Sequence, residues 1–470
     1  MNESPLKPTD LSEGDANLSD HRRQWTSRLD ETTRNWIERD AAVFLHQSLS
    51  TPCLNVLGGC GDGAMTDLSG RRILDFHGNS LHQVGYANPA VIAAVKKQLD
   101  TLSFCPRRYT NPAAIRLAEK LADIAPGDLN RVLFAPGGTS AVGMALKLAR
   151  VATGRFKTIS MWDAFHGASL DAISVGGEAL FRKGIGPLLP GTEHVPPADP
   201  RHCLWDPAGR CDGCGLKCAR YVDYVMEKEG DVAAVIAEPI RCTRVNPPPG
   251  GYWKAVRDAC DRHGALLIFD ETAVCLGRTG RMFAFEHEAV LPDIVILGKG
   301  LGGGVFPLAA IIAREALNVG REIALGHYTH EKNPAACAAG LAAIGYIEEH
   351  HLVERSDVLG RTAVGRLKAR LGGHPLVEDI RGRGLLFGLE LGANGRPAFR
   401  EAEQIMYECL ENGLSFKISG GNFLTLTPAL TLPEEELFRA LDILEAAVSA
   451  AGGASVPPPV HPITLNQRKS

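Results

Sequence analysis

Residues 265–304 decide the fold, and they read ALLIFDETAVCLGRTGRMFAFEHEAVLPDIVILGKGLGGG. Two wholly apolar runs of strand length lie in this stretch, and each is followed by a polar side chain, Asp270 after the first run and Lys299 after the second. Continuous apolar strands are typical of a parallel sheet that helices cover on both faces. Ligands bind outside the carboxyl ends of such strands, so Asp270 is predicted to face a cleft. The alternative is an aspartate that caps a turn.

Lys299 is surrounded by glycines at 300 and 302–304. Because glycines have no side chains, the Lys299 amine has few possible partners other than a ligand or the backbone. Such surroundings are unusual for a solvated surface lysine. A lysine amine can form a Schiff base with a carbonyl compound. Taken alone, the pattern fits a nucleophile and a surface residue equally well.

Two further motifs follow other predicted strands. The turn at 137–140, Gly-Gly-Thr-Ser, lies between a strand that ends at Phe134 and a helix, and free N–H groups at such a turn favour a phosphate. Phe165, in the segment 163–167 (DAFHG), follows the run 158–160 and is placed to cover a planar ring. Glycine-rich turns are common, and an isolated phenylalanine usually belongs to the core, so neither motif is specific alone.

The rest of the chain divides by its pattern into four parts. Apolar runs at 132–134, 158–160, 232–239, 265–271, 293–299 and 308–313 alternate with helical stretches and predict a mostly parallel sheet between helices. The predicted parts are an N-terminal segment of a small domain (1–109, with surface helices in 20–48 and a hairpin in 65–76), a large α/β domain (110–333), a C-terminal α+β domain (334–451) and a loose tail (452–470).

Composition excludes several classes of function. The 470 residues are 45% hydrophobic and 22% charged, with a formal net charge of -4, which is typical of a globular protein and gives no reason to expect a nucleic-acid or membrane partner. The polar N-terminus lacks the apolar core of a secretory signal, and no apolar run approaches the ~18 residues of a membrane span. These features predict a cytoplasmic protein.

Four of the twelve cysteines are clustered at Cys203, Cys211, Cys214 and Cys218. Without a secretory signal, the cysteines are predicted to be reduced rather than paired. Four thiolates this close could hold a structural zinc ion, although their spacing matches no familiar zinc module. Reduced thiols or occasional disulfides are the alternative.

In this order and spacing, the Gly-Gly-Thr-Ser turn, DAFHG, Asp270 and Lys299 resemble the class III aminotransferases, with the match extending unbroken through residues 268–310. The resemblance covers roughly residues 50–445 and implies a fold-type I enzyme that uses pyridoxal 5'-phosphate (PLP). It implies that Lys299 carries the cofactor as a Schiff base and moves a proton, and that Asp270 pairs with the pyridinium nitrogen. The other implied cofactor contacts are Gly138 and Thr139 at the phosphate, Phe165 and Thr272 on the two ring faces, His166, and Glu238 in a supporting role. Thr329 is implied to reach the phosphate of a neighbouring subunit, so a homodimer with shared active sites is the expected minimum unit, and a tetramer is left open.

The sequence departs from this family where substrate is expected. Thr425 stands where members that handle an α-carboxylate usually carry an arginine, and Lys417 takes the place of the mobile arginine of amine-selective members. Lysine offers a compact charge that suits phosphate-like groups. One of Arg107 and Arg108 could complete an anion pocket with Lys417; the alternative is that these residues are solvated.

The phosphate region departs as well. Ser140 and Gly143 stand where the family commonly has acids, and residues 330–332 (His-Glu-Lys) stand where glycines are usual. Phosphate binding tolerates these changes, but they unsettle the assumption that the reaction is ordinary transamination.

Two reactions of a small amine are compatible with the motifs. The segments 46–54, 75–86 and 328–334 are similar to the class III branch whose members release ammonia from (R)-1-hydroxy-2-aminoethylphosphonate, and the missing arginine at Thr425 agrees with that branch. An ammonia-lyase that forms phosphonoacetaldehyde is therefore favoured. The alternative is an ω-transaminase that passes the amino group to a keto acid such as pyruvate. A regulatory protein that merely holds PLP is disfavoured, because Lys299 and Asp270 are both intact.

Overall fold

The computed structural model describes residues 19–48, 50–206, 211, 213–393 and 395–452. Its α-helices are α1 (Asp20–Arg28), α2 (Glu31–Val43), α3 (Pro89–Thr101), α4 (Pro112–Ile124), α5 (Gly138–Thr153), α6 (Leu170–Val175), α7 (Ala179–Arg182), α8 (Lys217–Glu229), α9 (Tyr252–His263), α10 (Pro334–Glu349), α11 (Leu352–Leu371), α12 (Phe399–Glu411) and α13 (Glu434–Ala451). Among the described residues, no helix is both long enough and apolar enough to cross a bilayer.

The strands form three sheets. They are β1 (Leu57–Gly61), β2 (Ala64–Asp67), β3 (Arg72–Asp75), β4 (Leu129–Ala135), β5 (Lys157–Met161), β6 (Thr192–Val195), β7 (Val232–Ala237), β8 (Leu266–Asp270), β9 (Ile294–Leu297), β10 (Ala309–Arg314), β11 (Val377–Arg383), β12 (Leu386–Ala393), β13 (Arg396–Pro397), β14 (Leu414–Ser415), β15 (Lys417–Ser419) and β16 (Phe423–Leu426).

The central sheet has seven strands in the order β4-β10-β9-β8-β7-β5-β6. All six predicted apolar runs are strands of this sheet, so the mostly parallel α/β arrangement is confirmed. Strand β6 was not predicted from the sequence, because it consists of four residues, Thr-Glu-His-Val, of which only Val195 is buried. Strand β10 runs antiparallel to both neighbours. The connection 298–308 that precedes it carries no α-helix, and parallel neighbours normally need a longer crossover.

Parallel pairing brings the carboxyl ends of the central strands to one edge. Asp270, the last residue of β8, pairs with Ile296 of β9. Lys299 comes only three residues after Ile296, so it lies close to the same edge of the sheet as Asp270. Strand β5, two places along, ends at Met161, just before the DAFHG segment. The motifs quoted from the sequence therefore converge at this edge.

The two ends of the chain share a second sheet, in the order β1-β2-β3-β14. The predicted hairpin is formed by β2 and β3, and β3 pairs in parallel with β14, more than 300 residues later along the chain. A third sheet, β11-β12-β16-β15, with β13 beside β12, provides the other C-terminal strands. Residues 1–18 and all but Gly452 of the predicted tail lie outside the described residues.

A turn at 277–280, Gly-Arg-Thr-Gly, fixes the loop that leaves β8. Arg278 is fully buried, and its guanidinium donates hydrogen bonds to the carbonyl oxygens of Leu385 and Pro428. Burial lowers the pKa of Arg278 to about 10. Gly384 packs its backbone against this turn and also against Gly360 of α11, where an added Cβ would lie 1.9 Å from the Gly384 carbonyl oxygen.

This contact predicts opposite effects for two glycines of one helix. The change Gly360→Ala forces the backbone at Gly384 to move, and we expect a loss of about 1–3 kcal/mol in the free energy of unfolding. The matched change Gly365→Ala, on the exposed face of α11 with no atom within 4 Å of the new Cβ, should add about 0.5–1 kcal/mol. The unfolding midpoints of both variants, measured beside the wild type, test this prediction. Equal stability of Gly360→Ala and Gly365→Ala would contradict the contact between Gly360 and Gly384.

Candidate active site

A cavity of about 460 Å³ lies at the carboxyl edge of the central sheet. Nine of the sequence-predicted site residues line it: Gly138, Thr139, Phe165, His166, Glu238, Asp270, Thr272, Lys299 and Lys417. Other lining residues come from loops of the same central part of the chain, and the chain ends that share the smaller sheets add residues within 77–80 and 417–427. The cavity thus lies where the central sheet meets the N- and C-terminal parts.

Asp270 is buried at the base of the cavity, with 5% of its surface exposed. His166 Nδ1 lies 2.8 Å from one carboxylate oxygen, and the backbone N–H of Thr272 donates to the other at 3.1 Å. Burial raises the pKa of Asp270, but the hydrogen bond and charge of His166 and the hydrogen bonds from Thr272 outweigh it, so the pKa lies below its usual value. Among the described residues, no lysine or arginine pairs with this carboxylate, which His166 and Thr272 hold in its charged form.

Lys299 begins a short 3-10 turn after β9, and its side chain is exposed where it lines the cavity. Its φ of 46° is in the left-handed region, which is uncommon for a non-glycine residue and is often found at functional sites. The glycines on either side are needed for packing, since a Cβ at Gly298 would lie 2.9 Å from Thr272 and one at Gly300 would lie 2.0 Å from Gln83. The backbone is thus held in a conformation that presents the amine to the cavity.

The first turn of α5 opens onto the same cavity. The helix begins at Gly138 without a side-chain cap, so its first N–H groups remain available to an anion. The Thr139 hydroxyl accepts the backbone N–H of Ser169 at 3.2 Å and contacts the Ser169 hydroxyl at 2.6 Å. At Gly143, where the family commonly has an acid, a Cβ would lie 2.5 Å from a carboxylate oxygen of Asp171. The space for a side chain at Gly143 is thus taken by the Asp171 carboxylate.

Phe165 is positioned from the opposite wall. Its backbone N–H donates to Glu238 at 3.2 Å, and its ring lies 4.5 Å from that of Phe181. Glu238 also accepts a hydrogen bond from Arg241 at 2.7 Å, and Arg241 in turn binds Glu178 at 3.1 Å. Glu238 therefore holds the backbone of the Phe165 segment, and its supporting role toward the cofactor stays a prediction.

Lys417 and Thr425 are direct cross-strand partners in the β15–β16 pair, and both line the cavity. Opposed residues of an antiparallel pair share one face of the sheet. The Thr425 hydroxyl is held by the Thr243 carbonyl and by the Ser419 hydroxyl. Burial lowers the pKa of Lys417, against the opposing effect of Glu178. The spacing of these two departures from the family did not indicate that they are adjacent in the fold.

His77 is a further cavity residue to which the sequence reasoning assigned no role. Burial lowers its pKa to about 4, and the charges of Lys417 and Lys299 act in the same direction against the effect of Asp75. Its segment, 75–86, was noted for its resemblance to one branch of the family, and this was the available signal. Asn79 belongs to the same segment, whereas Glu178 and Phe181 lack any such signal, because only the folded chain brings them to the cavity.

Other predicted residues lie outside this cavity. Thr329 and Arg108 are exposed, and Arg107 lies 3.1 Å from His327 and 3.9 Å from Glu331. Within the described residues of one chain, neither arginine joins Lys417, so an anion pocket that combines them is not formed by one chain. The four clustered cysteines are also separate from the cavity.

These features fit a phosphorylated aromatic aldehyde. An amine, a buried carboxylate held charged, an aromatic ring and an uncapped helix start surround one cavity. Nε2 of His166 is buried without a hydrogen-bond partner in the described residues. An unpaired buried polar atom of this kind calls for a bound group. The site is therefore that of a PLP-dependent enzyme, in which Lys299 would carry the cofactor and Asp270 would hold its ring nitrogen.

Comparison with known proteins gives the same result. A model of the family "Aminotransferase class-III" matches residues 55–448. The (R)-1-hydroxy-2-aminoethylphosphonate ammonia-lyase of Vibrio splendidus is 46% identical over 95% of this chain and 97% of its own length. The acetylornithine aminotransferase of Methanopyrus kandleri is 38% identical over 83% of this chain and 94% of its own. The PLP-bound amine transaminase of an uncultivated Pseudomonas species has a TM-score of 0.79 and 30% identity, covering 84% of this chain and 95% of that one.

The chain belongs to the class III aminotransferase family. The predicted family and the fold-type I α/β architecture are thereby confirmed, and PLP is the cofactor that the family and its solved structures support.

The role of Lys299 gives a direct test. The variant Lys299→Ala should lose the visible absorbance of the cofactor Schiff base together with activity, because no other amine replaces it in the position that follows β9. Absorbance spectra of the purified variant with added PLP check this. A matched Lys254→Ala variant, whose charge lies at the surface, should keep the wild-type spectrum. A normal Schiff-base spectrum in Lys299→Ala would mean that another lysine carries PLP.

Proposed function

We propose that this protein is a PLP-dependent ammonia-lyase that converts (R)-1-hydroxy-2-aminoethylphosphonate into phosphonoacetaldehyde and ammonia. The observation that carries the proposal is the pairing of Lys417 with Thr425 at the substrate side of the cavity. Thr425 stands where an arginine would be expected to bind an α-carboxylate, and Lys417 supplies a cation beside it. The 46% identity to the Vibrio splendidus ammonia-lyase supports the same substrate.

The charges around the cavity favour a doubly negative group over an uncharged one. The charge of Lys299 opposes the positive charge of Lys417, and both lysines oppose a positive charge on His77. A phosphonate dianion relieves this repulsion. Glu178, the carboxylate that acts in the opposite direction on Lys417, already pairs with Arg241 at 3.1 Å. An ammonium group also matches the oxygens of a tetrahedral phosphonate without the planar fit that arginine gives a carboxylate.

Bound PLP withdraws electrons from the substrate carbon that carries the nitrogen. Lys299 removes the proton from that carbon, because its amine is presented to the cavity by the turn after β9. The hydroxyl of the neighbouring carbon, next to the phosphonate that Lys417 holds, then leaves as water with the proton that Lys299 took up. That carbon gains a proton from solvent as the released enamine becomes an imine. Water replaces the nitrogen at the first carbon, so that ammonia is released and the aldehyde forms. Asp270 keeps its negative charge throughout, since His166 and Thr272 hold it in place.

We also propose a homodimer in which Thr329 of one subunit completes the phosphate site of the other. Thr329 is exposed and is absent from the lining of its own chain's cavity. Its loop is braced from within the chain, since the ring of His330 lies 5.4 Å from Phe104 and the side chain of Asn111 donates to the Lys332 carbonyl oxygen at 3.1 Å. Exposed apolar side chains surround this region, including Phe104 and Tyr109, and such patches mark interfaces.

A reaction without a keto acid separates the lyase from a transaminase. Incubation of the enzyme with the hydroxyaminophosphonate alone should release ammonia and aldehyde over many turnovers, because elimination returns the cofactor to its starting form. Both products are measured with coupled assays. The alternative, an ω-transaminase, is favoured by the amine transaminase structure and predicts at most one turnover unless pyruvate is present. Strict dependence on pyruvate would exclude the lyase.

Lys417 should control substrate binding more than chemistry. A charge-assisted hydrogen bond contributes about 1.5–3 kcal/mol, so Lys417→Ala should raise KM by roughly 10- to 150-fold with a smaller change in kcat. Steady-state kinetics with the phosphonate check this split. An equal loss in kcat at unchanged KM would assign Lys417 another role.

The pH profile gives a second measure of Lys417. Because burial lowers its pKa, the free enzyme should lose this charge, and with it kcat/KM, at a pH below the usual lysine value of 10.5. Lys417→Arg keeps its charge at high pH, so the corresponding alkaline fall should move upward or disappear. An unchanged alkaline limb in Lys417→Arg would show that another group causes it.

A further inference from the structure

A cluster of cysteines lies outside the cavity, on the connection from β6 to α8. The sulfur atoms of Cys203, Cys211 and Cys214 all lie within 4.8 Å of one another. Cys218, in the first turn of α8, is buried, and its thiol is close enough to interact electrostatically with those of Cys203 and Cys214. All four are free thiols. The fold thus gathers four sulfur atoms that are spread over sixteen residues of sequence, 203–218.

The spacing of the three sulfur atoms is close to that of a tetrahedral metal site. Zinc–sulfur bonds are about 2.3 Å long, which places the sulfurs of a tetrahedral site roughly 3.8 Å apart. Small side-chain rotations therefore suffice to bring Cys203, Cys211 and Cys214 onto one ion. Cys218, the second residue of α8, interacts electrostatically with Cys214 and Cys203 and would supply the fourth ligand after a side-chain rotation.

The backbone at Cys214 provides a second, independent observation. Gly215 and Leu216 have φ values of 59° and 54°, both in the left-handed region, which is rare for leucine. The backbone N–H groups of Lys217 and Leu216 lie close enough to the sulfur of Cys214 to interact with it. Successive amides arranged in this way form an anion-binding nest of the kind found at metal–sulfur sites. Backbone N–H groups that face a sulfur atom stabilise its negative charge, as a thiolate ligand of a metal ion requires.

Disulfide bonding explains the arrangement less well. Three sulfur atoms that are mutually close cannot all pair, and a disulfide between any two would leave the amide nest or a neighbouring thiol without a function. A closed set of four sulfurs also leaves no position for water or substrate, which is the pattern of a structural zinc site rather than a catalytic one.

We propose that Cys203, Cys211, Cys214 and Cys218 bind one structural zinc ion in each chain. The four thiols lose their protons to solvent as the ion binds, and no electrons are transferred. The ion would tie the connection 196–216 to the start of α8, which leads directly into β7.

The proposed site also steadies one wall of the cavity. His202, next to Cys203, lies 2.7 Å from Glu390, and Glu390 binds Arg244 and Arg381, each at 2.7 Å. Arg244 adjoins Thr243, whose carbonyl oxygen holds Thr425 in the cavity. Loss of the ion should therefore lower the thermal stability of the enzyme far more than it alters binding of PLP.

Metal analysis of the purified holoenzyme tests the proposal. We expect about one zinc ion per chain by elemental mass spectrometry in protein prepared without chelators. Replacement of zinc by cobalt(II) should give the intense visible absorption of cobalt bound to thiolates. The variant Cys214→Ser should lose the metal and the cobalt spectrum, and its unfolding midpoint should fall. The matched Cys60→Ser variant, which changes an exposed cysteine outside the cluster, should retain both.

Four results would overturn the proposal. The first two concern wild-type protein from zinc-supplemented medium: a zinc content far below one ion per chain, or iron in place of zinc. The third is full zinc content in Cys214→Ser. The fourth is a disulfide within the cluster, detected after thiol blocking of the native protein. The metal measurements on wild-type protein do not depend on whether Cys214→Ser folds. They are also independent of the reaction that the cavity catalyses, so the proposed function can fail while the zinc site stands.

Discussion

The site depends on keeping a carboxylate charged in a place from which water is excluded. Burial alone would favour the neutral form of Asp270, and an uncompensated buried charge would be costly to the fold. The hydrogen bond from His166 and the backbone N–H of Thr272 remove that conflict. Because His166 follows β5 and Thr272 follows β8, the compensation is available only when the central strands are correctly ordered. The fold and the charge of its site therefore require one another.

Much of this arrangement was open to prediction because it follows from local pattern. Apolar runs that end in Asp270 and Lys299 indicate parallel strands, and parallel strands share a carboxyl edge. The antiparallel course of β10 was missed, since its apolar run reads the same in either direction. Strand β6 was missed because most of it is only partly buried and its residues do not form an apolar run.

The substrate side of the cavity was harder to predict for a different reason. Lys417 and Thr425 were each recognised as departures from the family, but their contact depends on the register of β15 and β16, which eight residues of sequence do not specify. His77 comes from the other end of the chain, and no periodicity relates it to Lys417. Arg107 is a different case, since its charge suggested a ligand, and within the described residues of one chain it contacts His327 and Glu331. Pairing between segments that are distant in sequence decides which of these side chains meet, and a single sequence does not reveal that pairing.

The pairing of β3 with β14 has a consequence for the order in which the molecule can be built. During synthesis the ribosome releases residues 57–75 long before residues 414–415, so the first three strands of that sheet must wait for most of the polypeptide. The central sheet, complete by Arg314, meets no such delay. Contacts between such distant segments carry a large loop-closure cost and form late. A nascent chain can therefore hold the groups around Asp270 and Lys299 in place while the wall that contains His77 and Lys417 is still missing, and competence to select a substrate is the last property to be acquired.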